Sequence, residues 1–372
     1  GTGRIDIATT ASTTVSATCT TSSQSIYLNA IGSVILGVTS VPLGTFSLDA
    51  TGAVTQSDAL TAGTLLLTNT TGATSLNYAT NAVSVLGTIN VGAQTFTLVD
   101  NIAGGITQTG VLTAGTLALT NTTGGTTTLG QTNVISNLGA MDTQGGTFTL
   151  TNNAALGVGG AINATGRTFT ILNGANAVTF GAGATSITAT TLTVRALDVD
   201  TLNTIGTLTA NVVLEPNATA GTIGLAVADG ATFTLDTTDI AELKAGTGTV
   251  TIGQTGQTGA VTIGAAVDLA GNTVTLNSGQ INESTNALSA NALTLTLSSG
   301  GSANTVKTTV TSLAINTTAG TDATGRSITV TETASLTLGI VNLGTGTLIL
   351  NTGTFNLSAS NVISDASSVN VN

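Results

Sequence analysis

Residues 54–101 align without a gap to residues 106–153 at an offset of 52, and about half of the aligned pairs are identical. The clearest block is Leu60-Thr-Ala-Gly-Thr-Leu-Leu-Leu-Thr-Asn-Thr-Thr-Gly72 against Leu112-Thr-Ala-Gly-Thr-Leu-Ala-Leu-Thr-Asn-Thr-Thr-Gly124. A second is Thr95-Phe-Thr-Leu98 against Thr147-Phe-Thr-Leu150. Self-similarity at a fixed period is the signature of a solenoid or array, in which each unit buries its apolar face only against its neighbours. A chain of 372 residues would otherwise divide into two or three compact domains, because single cores stop growing well before that size.

A finer period runs through the rest of the chain. Short strand-like cores recur at Thr45, Thr64, Ser84, Thr95, Thr116, Ser136, Thr147, Thr168 and Thr191, and again from Thr207 to Thr347. Apolar and polar residues alternate within them, which is strand patterning with one buried face. In Thr-Phe-Thr-Leu the phenylalanine and leucine point inward and the threonines outward. The spacing predicts an all-β fold, a parallel β-helix of roughly twenty coils, with the 52-residue unit read as three coils and Phe148 stacked on Phe169 one coil away. No helical period is sustained. Residues 1–25 read as an irregular Ser/Thr-rich start, and 26–372 as a continuous solenoid with repeat units at 54–105 and 106–157. Asn-Thr-Thr-Gly at 69–72 and 121–124 reads as a corner, with Asn bonding its own backbone and Gly supplying a positive φ.

Composition removes the main alternatives. Hydrophobic residues make up 41% of the chain, too many for a disordered Thr/Gly/Asn tract. No run approaches the ~18–20 apolar residues of a membrane-spanning helix, and two tyrosines with no tryptophan cannot furnish the aromatic girdles of a membrane barrel. The net charge is −11, and the six basic residues, Arg4, Arg167, Arg195, Lys244, Lys307 and Arg326, are scattered. That pattern disfavours nucleic acid and anionic lipid as partners. Cys19 stands alone and reads as a small buried hydrophobe. The chain begins at Gly1 without a signal peptide, as a processed, trimmed or partial product would.

Leu48-Asp-Ala-Thr-Gly-Ala-Val-Thr-Gln56-Ser-Asp-Ala-Leu-Thr-Ala-Gly-Thr-Leu65 and Ile106-Thr-Gln-Thr-Gly-Val-Leu-Thr-Ala-Gly-Thr-Leu117 resemble the haemagglutination-type repeats of filamentous-haemagglutinin-like exoproteins. The looser pattern extends over most of the chain from Ile26 onward. The resemblance implies a right-handed parallel β-helix, exported across an outer membrane and used as a surface adhesin stalk. The Asn-Pro-containing secretion motifs of that family are absent, which places this segment in the shaft.

Chemistry is scarce. With no histidine, the usual general base, the Ser-His and Cys-His pairs and the commonest metal ligand are all missing. Neither lysine belongs to a Ser-x-x-Lys or phosphate-loop motif. Gly157-Val-Gly159 and Gly181-Ala-Gly183 are incomplete dinucleotide fingerprints and read as coil corners. Two acidic groups remain, because β-helices also carry polysaccharide-cleaving sites. Asp198 and Asp200 flank Val199 on one outward face, with Leu197 and Val199 inside. Asp236, Asp239 and Glu242 gather beside Lys244. Both groups read first as solvated faces, so neither a catalytic residue nor a metal or cofactor site is assigned.

Seven Asn-x-Ser/Thr sequons, at Asn69, Asn121, Asn163, Asn217, Asn282, Asn316 and Asn356, would put sugar on the corners if the host glycosylates exported proteins. Outward Thr-x-Thr pairs at 95/97, 147/149, 168/170, 191/193, 232/234, 273/275 and 294/296 suit a strand and also resemble ice-binding ladders. The expectation is a non-enzymatic shaft of a secreted or cell-surface adhesin, whose surface ligand the sequence does not name. A segment of an extracellular filament is the alternative. Neither end looks capped, which would leave strand edges to continue into further chain or to pair end to end with copies of the protein itself.

Overall fold

The computed structural model describes residues 4–8, 13–19, 24–181, 186–200, 202, 207–227, 231–246, 248–282, 285–298, 304–317, 326–344, 346–352, 355–357, 363–364 and 368–371. Strands take up 65% of the chain and form a parallel β-solenoid of about 15 turns, with one helix. The expected twenty coils overcount because successive Thr-centred cores, such as those at Ser84 and Thr95, stand in different columns of the stack and share turns. The chain divides into two units, Gly1–Thr190 and Thr191–Asn372.

In the first unit each residue pairs with one 19 to 23 positions further on. One inward column runs Val34↔Val54↔Thr74↔Phe96↔Leu117↔Leu138↔Val158↔Phe180. Another runs Ile26↔Phe46↔Leu65↔Leu86↔Gln108. All but Ile26 and Gln108 of these are buried. The strands Arg4–Ala8 and Thr13–Thr18 pair in parallel with the coils after them. The strand Phe148–Asn152 alternates buried and half-exposed residues, as its sequence predicts.

The two copies of the repeat therefore do not stand one above the other. Leu65 lies in one column and its counterpart Leu117 in the other. Two turns carry Leu65 to Gln108, 43 residues on, and the remaining nine carry the chain about half a turn further. Fifty-two residues amount to about two and a half turns, not three, so the same sequence is presented on two sides of the unit.

The corners are polar inside as well as out. Asn81 and its counterpart Asn133 are both buried. Oδ1 of each accepts the amide N–H that opens a strand, from Leu60 and Leu112, at 2.8 Å. Each also forms a reciprocal amide pair with a glutamine 25 residues earlier, Gln56 with Asn81 and Gln108 with Asn133. Buried donors and acceptors need partners, and these amides supply them coil after coil. The Asn-Thr-Thr-Gly corners follow the expected chemistry only in part. Asn69 Oδ1 accepts from the Gly72 amide at 3.2 Å, and Gly124 has a φ of 73°. Gly72 is required for a different reason, since a Cβ there would stand 2.4 Å from the Gly52 carbonyl carbon.

In the second unit a column runs Val250↔Val274↔Leu293↔Leu313↔Leu338↔Leu357. Between Val212 and its partner Val250 the step is 38 residues. This long coil carries two insertions that the repeat pattern does not foresee. Ile223–Leu225, with Phe233–Leu235 on one side and Val261–Ile263 on the other, makes a three-stranded parallel sheet. Helix α1 spans Thr237–Ala245. The expectation of no helix fails here because Asp236 and Asp239 form a capping box, with each side chain meeting the other's backbone N–H, ahead of the helix-forming run Ala241-Glu-Leu-Lys-Ala245. Asn272 donates Nδ2 to the carbonyl of Gly246 at 3.1 Å and closes the other end.

Candidate functional site

The two acidic groups singled out in the sequence both lie at the long coil of the second unit, and the fold brings them together. Asp198 Oδ1 accepts the amide of Thr234 at 2.7 Å and that of Val199 at 3.0 Å. It therefore ties the strand Val199–Asp200 to the strand that leads into α1. Asp239 Oδ1 accepts the amide of Leu202 at 2.7 Å, while Oδ2 faces the amide of Asp236 at 3.3 Å. Asp200 is exposed, and its charge acts on Asp239. Val199 is buried as expected, but Leu197 is 38% exposed, because the chain bends there before the strand begins and the strict alternation is lost.

The electrostatics follow from these positions. Burial pushes the Asp239 carboxyl up to about 6, with the negative charges of Asp236 and Asp200 adding to the effect. Burial also raises Glu242. Asp236 is held below the usual carboxylate range, chiefly by the hydroxyl of Thr238, which donates to its Oδ1 at 2.6 Å. Lys244 meets Asp268 at 2.5 Å and holds that carboxyl low. Arg195 pairs with Glu215 at 2.6 Å. Asp198, Asp236 and Asp239 accept backbone N–H groups, and Lys244 faces Asp268 instead of the three acids it follows in sequence. Among the described residues no group of three or more His, Cys, Asp or Glu is arranged to hold a metal ion.

The other surface features divide. The sequons at Asn69 and Asn121 are fully buried, and their Nδ2 groups donate to the carbonyls of Gly52 and Gly125, each at 2.9 Å. Neither can carry sugar in the folded chain, against expectation, because the corner needs the amide inside. Asn163 is exposed. The threonines of the Thr-x-Thr pairs stay out of the core, and they align in short rows, Thr128↔Thr149↔Thr170 and Thr251↔Thr275↔Thr294. Alanine interrupts other rows, with Ala118 opposite Thr97 and Ala314 opposite Thr294. No helix among the described residues is long and apolar enough to cross a membrane. The second half of the terminal echo, Ile363–Ser364, is a strand. Residues 360–362, on which the reading of an uncapped end also rests, lie outside the described residues.

The fold defines the class, a parallel β-solenoid repeat protein. Comparison with protein-family models, with curated proteins and with solved structures finds no match.

Proposed function

We propose that the chain is a non-enzymatic structural shaft of a secreted or cell-surface, adhesin-like exoprotein. The observation that carries this reading is the inward column of the first unit, in which eight successive coils from Val34 to Phe180 stack without interruption. Parallel coils that share one core resist bending and local opening, because each strand is paired on both edges. The carboxylates that would be the best candidates for acid-base chemistry accept backbone N–H groups at the long coil, which supports a framework role. The likeness of Leu48–Leu65 and Ile106–Leu117 to haemagglutination-type repeats supports the adhesin class. The unidentified ligand of such a protein is a host or neighbouring-cell surface.

Negative-stain images of the purified chain test this reading, together with a polysaccharide-cleavage assay. Isolated particles of one finite length, with no cleavage, agree with the shaft. Fibres that lengthen with protein concentration would favour an extracellular filament built by end-to-end contacts. Cleavage that disappears when Asp198 and Asp200 are both changed to Asn would overturn the reading.

A further inference from the structure

Asp100 is a fully buried carboxyl in the first unit, on the last residue of the strand Thr95–Asp100. Its Oδ1 accepts the amide of Val83 at 2.8 Å and its Oδ2 the amide of Ile102 at 3.2 Å. The 52-residue repeat supplies an internal control, because the counterpart of Asp100 is Asn152, also buried. Asn152 Oδ1 accepts from Ile135, the counterpart of Val83, at the same 2.8 Å. Its Nδ2 then donates to the carbonyls of Ile135 and Ala154 and to Oδ1 of Asn173, at 3.1, 3.0 and 2.8 Å. Shifted by 52 residues, those acceptors are the carbonyls of Val83 and Ile102 and Oδ1 of Asn121, the residue stacked on Asp100. The first copy thus places an acceptor-only carboxylate where the second copy places a donor.

No cation compensates it. The elements around Asp100 are residues 77–81, the strand Ala82–Asn90, the turn 101–106 and the strand Leu112–Asn121. The one titratable side chain they carry is Tyr78, which is exposed. Asp142 stands two register steps away, along Val99↔Thr120↔Asp142, and is engaged with Gln144 and Asn163.

We propose that Asp100 is a proton-operated lock: in mild acid its carboxylate takes a proton from solvent and becomes a donor within the inner polar row, as Asn152 is in the second copy. Burial raises this carboxyl to about 6 from an ordinary 3.8, against the opposing effect of the amides of Val83, Ile102 and Asn101. A folded-state value above the unfolded one favours the folded coil at low pH. The gain is complete below about 4 and is lost as pH rises through about 6.

Residue-resolved hydrogen exchange between pH 4 and 7, corrected for intrinsic rates, tests the lock without interference from acids elsewhere. In the unaltered chain the protection of the Val83 and Ile102 amides rises by up to ~100-fold from pH 7 to pH 4. In Asp100→Asn it is high and flat across that range. Asn152→Asp brings a new dependence of the same sign to the Ile135 and Ala154 amides. An Asp100→Asn chain that keeps the original dependence at Val83 and Ile102, or is less protected there at pH 7, would overturn the proposal. So would a folded Asn152→Asp chain that is flat at Ile135. If Asn152→Asp does not fold, Asp100→Asn decides alone.

Discussion

The rings of Phe148 and Phe169 stack with centroids 4.6 Å apart and planes 14° from parallel, one coil above the other in matching Thr-Phe-Thr contexts. A separation close to the strand spacing of a sheet is what in-register parallel stacking imposes on identical side chains. Replacing Phe169 by Ala removes one face of this stack and leaves a cavity under Phe148. Denaturant unfolding is expected to show a loss of about 3–5 kcal/mol, with protease sensitivity appearing around residues 148–172 and not throughout the chain.

The amide pair Gln108–Asn133 is expected to act as a unit. Asn133→Ala strands the Leu112 amide and the carbonyls of Leu129 and Thr151, each worth about 1–3 kcal/mol when left buried without a partner. Gln108→Ala is milder, since Gln108 is half-exposed. A double-mutant cycle read by chemical denaturation is expected to give a coupling of roughly 0.5–3 kcal/mol. Strict additivity would show that the two amides do not cooperate.

The Phe148–Phe169 register was legible because Thr-Phe-Thr repeats after 21 residues and strand alternation fixes which residues turn inward. Leu98 and Leu150 were legible as core in the same way. The half-turn offset between repeat copies was not. A sequence period reports where equivalent residues recur along the chain, and two nearly equivalent faces let a unit end on either one. The polar interior was hidden as well, because Asn69, Asn121 and Asn133 look like ordinary corner residues until the carbonyls they satisfy are placed. Helix α1 had a signal in Asp236-x-x-Asp239, but nine residues are too few for a hydrophobic period to stand out. Of the candidate acidic site the residues were visible, and their division between backbone caps and exposed surface was not. That division depends on the 38-residue coil bringing Thr234 to Asp198 and Leu202 to Asp239.

Changing Asp198 and Asp200 together to Asn is expected to leave the thermal midpoint nearly unchanged. An asparagine Oδ1 still accepts the amides of Thr234 and Val199, and Asp200 is exposed. Asp236→Ala removes the helix cap instead and is expected to cost about 1 kcal/mol. Circular dichroism during thermal melting separates the two. A large loss in the Asn double variant would show that the charge itself, and not the acceptor, is needed at this corner.

Acidification is expected to act on α1 with two opposite signs. Asp239 has a folded-state value raised from 3.8 to about 6, so its contribution is fully present below about 4 and declines as pH rises through about 6. Asp236 is lowered, so its cap is present above about 4 and is lost as pH falls further. Protection of the α1 amides is thus expected to peak in mild acid near pH 4–5. A protection profile that rises steadily from pH 4 to 7 would contradict the assignment of Asp239.

The stacked-coil register is tested most directly by paired spin labels on the outer face. With Cys19 replaced by Ser, labels at Thr149→Cys and Thr170→Cys occupy directly paired positions on adjacent coils, whose backbones stand about 4.8 Å apart. Strong dipolar broadening of the continuous-wave spectrum is expected for this pair. It is expected to be absent for Thr97→Cys with Thr149→Cys, which are equivalent in the 52-residue repeat but lie half a turn apart in phase. Broadening in the second pair and not in the first would contradict the 21-residue coil and the solenoid register built on it.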